Sequence, residues 1–331
     1  MPEKTLRDSY GRVIGDLRIS ITDRCNFRCT YCIPVENIQW KRRDEILSYE
    51  EIIRVVKIFA SFGVRKLRVT GGEPLLRPDV LSLLERLAAI DGIEDLALTT
   101  NGKYLPQFAG GLRAAGVKRL NISLDSLVPE KFLAMTRRDA LGDVLQGIEA
   151  ASRAGFDPVK INAVVIRGVN DDEIVEFARF ARAGGHAVRF IEFMPLDSGH
   201  TWSMAQVVPG KEILETLRAS MELVPLPPRS ASETATRWGF ADGRGEIGII
   251  APVTAPFCGN CNRIRMTADG HLRTCLFSLV EHDVKTFLRD GSSDAEIAAA
   301  IEAAVWKKED GHRINRDNFV QPERTMSCIG G

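Results

Sequence analysis

Residues 23–32 read Asp23-Arg24-Cys25-Asn26-Phe27-Arg28-Cys29-Thr30-Tyr31-Cys32. The three cysteines are separated by three and then two residues, so one loop gathers three thiolates without a fourth cysteine nearby. A four-iron cluster held by three thiolates keeps one iron without a protein ligand, and chemistry can take place at that iron. The spacing therefore predicts a reactive iron–sulfur cluster rather than a purely structural metal site.

A zinc site or a redox-active thiol set is the alternative reading of the same loop. Structural zinc is usually held by four ligands in two pairs. The loop offers only three cysteines, although Cys258 and Cys261 could supply a second pair. At this point the zinc alternative stays open.

Composition and charge narrow the class of protein. The 331 residues contain 44 Lys and Arg and 44 Asp and Glu, and 44% of the residues are hydrophobic. A neutral chain argues against a dedicated nucleic-acid binder but permits a local basic pocket. The start of the chain lacks an apolar signal segment, and no apolar run is long enough to span a membrane. We expect a cytoplasmic protein that binds neither nucleic acid nor membrane.

The seven cysteines also favour metal sites over disulfides. Six of them form two groups, Cys25, Cys29 and Cys32, then Cys258, Cys261 and Cys275, and Cys328 is left over. Clustered cysteines in a reducing cytosol are typical of metal ligands.

Strand and helix patterns alternate along the first two-thirds of the chain. Each predicted strand is followed by a helix with apolar residues at helical spacing, beginning with a capping box at Ser48 and Glu51. Strands are predicted at residues 17–22, 66–70, 95–100, 119–124, 159–166 and 188–193. Short connections imply parallel strands with crossover helices. Eight such units would close a TIM barrel. Six predict an α/β fold with a partial (β/α)6 TIM-like barrel.

The alternation stops after Met194-Pro195. We therefore divide the chain into a barrel, residues 1–200, and a C-terminal region, residues 201–331, that closes the open side. This region is predicted to contain a strand at 246–250, a hairpin of 264–267 and 271–275 around Ala268-Asp269-Gly270, and two helices.

Polar residues follow several of the predicted strands. They are Gly71-Gly72-Glu73 after the second strand, Thr99 to Gly102 after the third, and Ser123 to Asp125 after the fourth. Barrel enzymes build their active sites at this edge of the sheet. Each motif alone is more typical of a turn or a helix cap.

The cysteine loop after the first strand, together with Gly71-Gly72-Glu73-Pro74, resembles the radical S-adenosylmethionine (SAM) superfamily. The resemblance implies that the amino and carboxylate groups of SAM chelate the open iron. An electron then cleaves SAM and releases a 5′-deoxyadenosyl radical. The positions that match SAM contacts are Tyr31, Gly72, Glu73, Ser123 and Met194, with Tyr31 packing on the adenine and Glu73 accepting the ammonium.

Cys258, Cys261 and Cys275 form a second three-thiolate set, for which His271 and His282 would be the fourth ligand of a zinc site. Arg263 and Arg265, two residues apart on a strand, share one face and could hold phosphate oxygens. Without the cysteines beside them, an exposed charged face would be the commoner role.

The segment from Pro256 to Arg265, Gly270, residues 272–276 and the terminal Gly330-Gly331 resemble the GTP 3′,8-cyclase family of molybdenum cofactor biosynthesis. The resemblance extends from Arg18 to Gly331. It implies two [4Fe-4S] clusters, the second binding the guanine of GTP, and a glycine tail that reaches the active site. GTP contacts are implied for Arg18, Arg68, Thr99, Lys160, Arg263 and Arg265, with Arg189 also facing the site.

The implied reaction removes the ribose 3′-hydrogen of GTP and joins C3′ to guanine C8, which gives 3′,8-cyclo-7,8-dihydro-GTP. The implied partners are a cyclic pyranopterin monophosphate synthase accessory protein that acts on the product, an electron donor such as flavodoxin or ferredoxin, and a second copy in a homodimer. Cys328 is interpreted as a spectator. A radical SAM enzyme acting on a peptide and a zinc-stabilised binding module are the alternative hypotheses.

Overall fold

The computed structural model describes residues 5–33, 38, 40–197 and 199–330. Strands and helices alternate through its first part, as the sequence predicts. The strands are β1 (Asp16–Ser20), β2 (Lys66–Thr70), β3 (Asp95–Thr100), β4 (Arg119–Ser123), β5 (Lys160–Val165) and β6 (Ala187–Glu192). The helices are α1 (Tyr49–Ser61), α2 (Val80–Ala88), α3 (Leu105–Ala114), α4 (Pro129–Thr136), α5 (Leu141–Arg153) and α6 (Ile174–Gly184). Helix α4 was not predicted.

The later part of the chain is more irregular. Its helices are α7 (Gly210–Ser220), α8 (Lys285–Arg289), α9 (Asp294–Trp306) and α10 (Met326–Ile329). Its strands are β7 (Leu223–Leu226), β8 (Thr236–Phe240), β9 (Glu246–Ile250), β10 (Arg263–Met266), β11 (His271–Arg273) and β12 (His282–Asp283). The predicted strand at 246–250, the hairpin and two helices after it, α8 and α9, are confirmed. The elements α7, β7, β8, β12 and α10 were not predicted.

All of these strands belong to one sheet, in the order β12-β11-β10-β1-β2-β3-β4-β5-β6-β9-β8-β7. Strand β10 pairs in parallel with β1, and β9 pairs in parallel with β6. The parallel part of the sheet is therefore wider than the six predicted strands, because the C-terminal region adds one strand at each edge. No pairing joins the two ends of the sheet in the described chain, so the barrel stays open.

Alternating burial gives the sheet one apolar and one polar face. Leu17 and Ile19 of β1 pack in the main core with Val55, Val56 and Phe59 of α1. Strand side chains alternate between faces, so Arg18 and its in-register neighbours lie on the side away from the helices. That inner face is where a ligand can enter the barrel.

Local signals act where the sequence predicts them. Ser48 caps α1, and its hydroxyl accepts from the Glu51 backbone N–H (3.2 Å) while the Glu51 carboxylate accepts from the Ser48 backbone N–H (2.6 Å). In the β10–β11 turn, Gly270 has φ +80°, a conformation that favours glycine. Among the residues described, no helix has the length and apolar character required to cross a membrane.

Candidate active site

The first three thiols lie in the loop that follows β1. Cys25, Cys29 and Cys32 are free and partly buried. The backbone N–H of Cys32 donates to the carbonyl of Cys29 (3.0 Å), which makes the loop compact. Burial raises the pKa of Cys25 to about 11, and burial together with Cys32, Asp125 and Cys25 raises the pKa of Cys29. The thiols thus face one another closely enough to interact electrostatically, and iron would have to displace their protons.

The second three thiols lie at the other end of the strands, where the parallel strands begin. Cys258 and Cys261 precede β10, which runs parallel to β1, and Cys275 follows the antiparallel β11. Burial raises the pKa of Cys275. For Cys261, burial is outweighed by the charges of Arg263 and Lys308 and by hydrogen bonds from Arg263, and the pKa is lowered to about 7. The first set follows β1 and the second precedes the parallel β10, so the two thiol sites lie at opposite ends of the barrel strands.

Each thiol set offers three donors, the number that a four-iron cluster with one open iron takes from the protein. Within residues 5–33, 38, 40–197 and 199–330, no three His, Cys, Asp or Glu side chains are grouped so that they could hold one ion. His271 instead lies 3.5 Å from Asp269. A four-iron cluster binds each thiolate through a different iron, so its ligands are more widely spaced than those of zinc. Two sets of three free thiols fit two such clusters.

Between the two ends, cations line the inner face. Arg18 lies opposite Arg68 on one side and Arg265 on the other, so three neighbouring strands present three arginines in register. Lys160 is 5% exposed and Arg189 is 9% exposed. No carboxylate in the described part of the chain lies within 4.0 Å of the side-chain nitrogens of these five residues. The Nε atoms of Arg18, Arg68 and Arg189 are buried and have no hydrogen-bond partner among the described residues.

Burial and mutual repulsion act on the protonation of these cations. Burial and then Arg68 lower the pKa of Arg18 to about 9. Burial, Arg189 and Arg119 lower the pKa of Lys160 to about 7. Buried cations without a counter-charge are costly, so an anion bound at this face would be stabilised by them.

Uncharged polar groups lie in register beside the cations. Thr99 is opposite Asn121, which is opposite Lys160, and Ser123 is opposite Asn162. Thr99 Oγ1, Asn162 Oδ1 and both side-chain polar atoms of Asn121 are buried without partners. Asn121 and Asn162 were missed by the sequence reasoning. Their signal is a polar residue two positions from Ser123 and at the matching position of the next strand, inside otherwise apolar runs.

The Gly71-Gly72-Glu73 motif bonds to the chain that leads into the cysteine loop. The Gly72 N–H donates to the carbonyl of Thr22 (2.7 Å), and the Glu73 N–H donates to that of Arg24 (2.7 Å). A Cβ on Gly72 would lie 2.2 Å from the Arg24 carbonyl oxygen. The backbone of residues 23 and 24 therefore lies directly against Gly72, where a larger residue would collide with it.

Glu73 also anchors the end of β3. Its carboxylate accepts from the backbone N–H of Leu75 (3.0 Å) and Asn101 (2.7 Å) and from the Thr100 hydroxyl (2.8 Å). Burial raises the pKa of Glu73 to about 7.

The other predicted SAM contacts surround this edge of the sheet. The Tyr31 hydroxyl donates to Asp125, an acid that the sequence reasoning had not assigned. Burial raises the pKa of Asp125 to about 6. Ser123 ends β4, and Met194 packs on a small apolar cluster that contains Leu196.

The end of the chain enters the same space. Arg265 donates to the carbonyl of Gly330, and a Cβ on Gly330 would lie 2.4 Å from Ser20 Oγ. Gly331 lies outside the described residues. Cys328, interpreted as a spectator, is close to the first thiol site, where its charge and that of Cys25 add to burial in raising the pKa of Cys32.

One segment beside the second thiol site was missed entirely. Lys308 is 3% exposed, and its ammonium donates to the carbonyls of Arg263 (3.1 Å) and Thr274. Arg12 donates to the carbonyls of Cys258 (2.9 Å) and Asp310 (2.9 Å), which fastens this segment to the cysteine loop.

The comparisons with known proteins agree on one family. Residues 19–181 match the model of the radical SAM superfamily, and residues 186–314 match that of Molybdenum Cofactor Synthesis C. GTP 3′,8-cyclase from Streptomyces coelicolor is 46% identical over 98% of this chain and 96% of its own. GTP 3′,8-cyclase from Acidothermus cellulolyticus is 48% identical over 91% of this chain and 85% of its own.

A solved structure confirms the fold. Streptococcus suis SuiB superposes with a TM-score of 0.62 at 13% identity, over 96% of this chain and 78% of its own. The likeness covers both the barrel strands and the C-terminal region.

Proposed function

The chain belongs to the GTP 3′,8-cyclase family, and we propose that its two thiol sites and the cations between them form the site where GTP is cyclised. The activity is the conversion of GTP to (8S)-3′,8-cyclo-7,8-dihydroguanosine 5′-triphosphate, the first step of molybdenum cofactor biosynthesis. The observation that carries the site assignment is the row of Arg18, Arg68 and Arg265 between the two ends of the barrel, with no carboxylate of the described residues within 4.0 Å.

Cys25, Cys29 and Cys32 are the proposed ligands of the first [4Fe-4S] cluster. When bound, this cluster supplies the electron that cleaves SAM to the 5′-deoxyadenosyl radical. Tyr31, Gly72, Glu73, Ser123 and Met194 are the proposed SAM contacts. The protein's part is to fix the bound SAM and to exclude water, and the buried polar groups at this edge suit both tasks.

Cys258, Cys261 and Cys275 are the proposed ligands of the second cluster, within the C-terminal region of residues 201–331. Four arginines, together with Lys160 once it is protonated, oppose a triphosphate with about four negative charges: Arg18, Arg68, Arg263 and Arg265. Thr99 offers a hydroxyl without a partner. Anchored phosphates fix the ribose, so that its 3′-hydrogen meets one radical in one orientation.

The tail, Gly330-Gly331, is proposed to complete the site. Gly330 is buried and its carbonyl accepts from Arg265, a residue also proposed to bind GTP. The tail and the substrate would thus share one guanidinium.

The decisive experiment is an anaerobic incubation of cluster-loaded protein with SAM, a reductant and GTP. We expect 5′-deoxyadenosine and the cyclised nucleotide. The variants Arg263→Ala and Arg265→Ala should turn over less GTP while keeping wild-type iron and sulfide content. Absence of both products with both clusters loaded would refute the proposal, as would 5′-deoxyadenosine formed only with a peptide. Arg179→Ala is a matched control, because Arg179 forms an ion pair with Glu176 on the outer helix α6.

An acidic electron-transfer protein such as flavodoxin or ferredoxin is the proposed electron donor. Three arginines surround the first cysteine loop: Arg28 donates to the carbonyls of Cys25 (2.6 Å) and Phe27 (2.8 Å), and Arg138 to that of Asn26 (2.9 Å). Arg137 completes the group. In the described structure no carboxylate lies within 4.0 Å of any of them. Their charge complements an acidic partner.

This arginine patch, formed by Arg28, Arg137 and Arg138, allows a direct test of donor docking. Arg138→Gln should weaken turnover driven by flavodoxin, most strongly at low salt, and leave dithionite-driven turnover unchanged. Equal loss with both reductants would contradict donor docking at this patch.

The remaining partners are proposed on family membership. A cyclic pyranopterin monophosphate synthase would take up the product, and product transfer can be followed in a coupled assay. A homodimer is tested by sedimentation. A cytoplasmic location is supported by the seven free cysteines, which a reducing compartment preserves.

A further inference from the structure

Lys308 is a buried cation without a carboxylate partner. It lies two residues after the end of α9 and is 3% exposed, whereas its neighbour Lys307 is exposed. Its ammonium donates to two backbone carbonyls, those of Arg263 and Thr274. No carboxylate in the described chain lies within 4.0 Å of its nitrogen. Burying an ammonium is unfavourable unless negative charge lies nearby, so the site must supply that charge.

The two carbonyls belong to the segments that carry the second thiol set. Arg263 lies two residues after Cys261, and Thr274 directly precedes Cys275. One ammonium therefore joins two ligand-bearing segments that are separate in the chain.

The residues after Lys308 continue around the same site. The Glu309 carboxylate accepts from the Thr274 hydroxyl (2.7 Å). A Cβ on Gly311 would lie 3.2 Å from the Sγ of Cys258, so the backbone at this glycine lies against the Cys258 thiol of the second set. Glu309 is the acid that opposes Lys308 here, since its charge raises the pKa of Cys275 while that of Lys308 lowers it.

The net charge of the second cluster would be opposite in sign to that of Lys308. An oxidised four-iron core has two positive charges and three thiolates add three negative ones, which leaves one negative charge. We propose that Lys308 is the counter-ion and a positioning residue of the second cluster: it raises the cluster's reduction potential and holds two ligand segments together. This inference rests on the proposed assignment of Cys258, Cys261 and Cys275 as cluster ligands.

The test is a redox titration of the holoenzyme followed by electron paramagnetic resonance. A protein with Cys25, Cys29 and Cys32 all changed to alanine identifies which signal belongs to the second cluster. In Lys308→Met, one positive charge is lost within about 10 Å of the cluster, and we expect the redox equilibrium to shift roughly tenfold against reduction. For one electron, that is a midpoint about 59 mV more negative. Lys307→Met is the matched control and should leave the potential unchanged.

The variant Lys308→Arg keeps the positive charge and changes the shape of the side chain, so it separates the two effects. If Lys308→Met loads the second cluster poorly, near-normal iron and sulfide in Lys308→Arg supports the inference, and equal loss in both variants overturns it. A normally loaded Lys308→Met with a wild-type potential also overturns it. Wild-type protein without a second cluster signal would instead refute the ligand assignment, so the two failures are distinguishable.

Discussion

Replacing Arg18 with methionine should change stability and GTP affinity in opposite directions. Arg18 lies between Arg68 and Arg265 on strands about 4.8 Å apart. Guanidiniums 5–8 Å apart, with an effective dielectric constant of about 20, repel each other by about 2–3 kcal/mol per pair. Methionine preserves much of the packing and removes both repulsions, while Asp16, which attracts Arg18, offsets part of the gain.

We therefore expect the nucleotide-free Arg18→Met protein to be more stable than wild type by about 1–3 kcal/mol. This corresponds to a Tm higher by roughly 1–4 °C for a chain of 331 residues. Affinity for GTP should fall roughly ten- to a hundredfold, because one charge-assisted phosphate contact is lost. Anaerobic thermal unfolding and titration calorimetry of cluster-loaded protein measure the two effects.

Arg119→Met is the matched control on the same sheet. Arg119 is paired with Asp95 through a 2.7 Å hydrogen bond from its Nε, so its removal should lower the Tm. If Arg18→Met instead loses stability without GTP and keeps wild-type affinity, the row of cations is not a phosphate site and the reasoning fails.

Three further predictions follow from single positions. Burial and Arg189 lower the pKa of Lys160 to about 7, so the nucleotide-free protein should gain stability as pH rises from about 7 to the unfolded-state value of 10.5. GTP binding at pH 8 should then take up about 0.9 proton, measured by calorimetry in two buffers and abolished in Lys160→Met. Gly330→Ala, at φ +81° and 2.4 Å from Ser20 Oγ, should displace the tail and lower 5′-deoxyadenosine formation with SAM and GTP binding intact; wild-type turnover would show that the tail is dispensable. Gly147→Ala in α5 places a Cβ 2.2 Å from a carbonyl oxygen and should cost about 2–3 kcal/mol in urea unfolding, whereas Gly142→Ala, with open space around it, should gain up to about 1 kcal/mol.

Local patterns predicted most of the barrel because they depend on near neighbours. The cysteine spacing, the Ser48 capping box and the alternation of strands and helices are all encoded within short stretches. The places that β9 and β10 take in the sheet are not encoded in this way, because each strand pairs with one that is far away in the chain. The alignment of Arg18 with Arg265 follows from that pairing, so no sequence window could reveal the row of cations.

The burial of Lys308 is a second feature that the local sequence does not predict. It follows Lys307 in a charged stretch at a helix end, a pattern typical of exposed side chains. Only tertiary packing makes one lysine exposed and the next buried.

Charged side chains act on the thiols of both sites, and their effects on individual thiols differ in sign. Glu73 acts on Cys25 and Asp125 acts on Cys29, and both acids raise the pKa of their thiol, as burial does. Arg263 and Lys308 have the opposite effect on Cys261. Nearby negative charge disfavours reduction of a cluster and nearby positive charge favours it. Arg28 lowers the pKa of Cys25 and Glu309 raises that of Cys275, so each site combines charges of both signs, and we expect the balance of these charges, not one residue, to set the relative potentials of the two clusters.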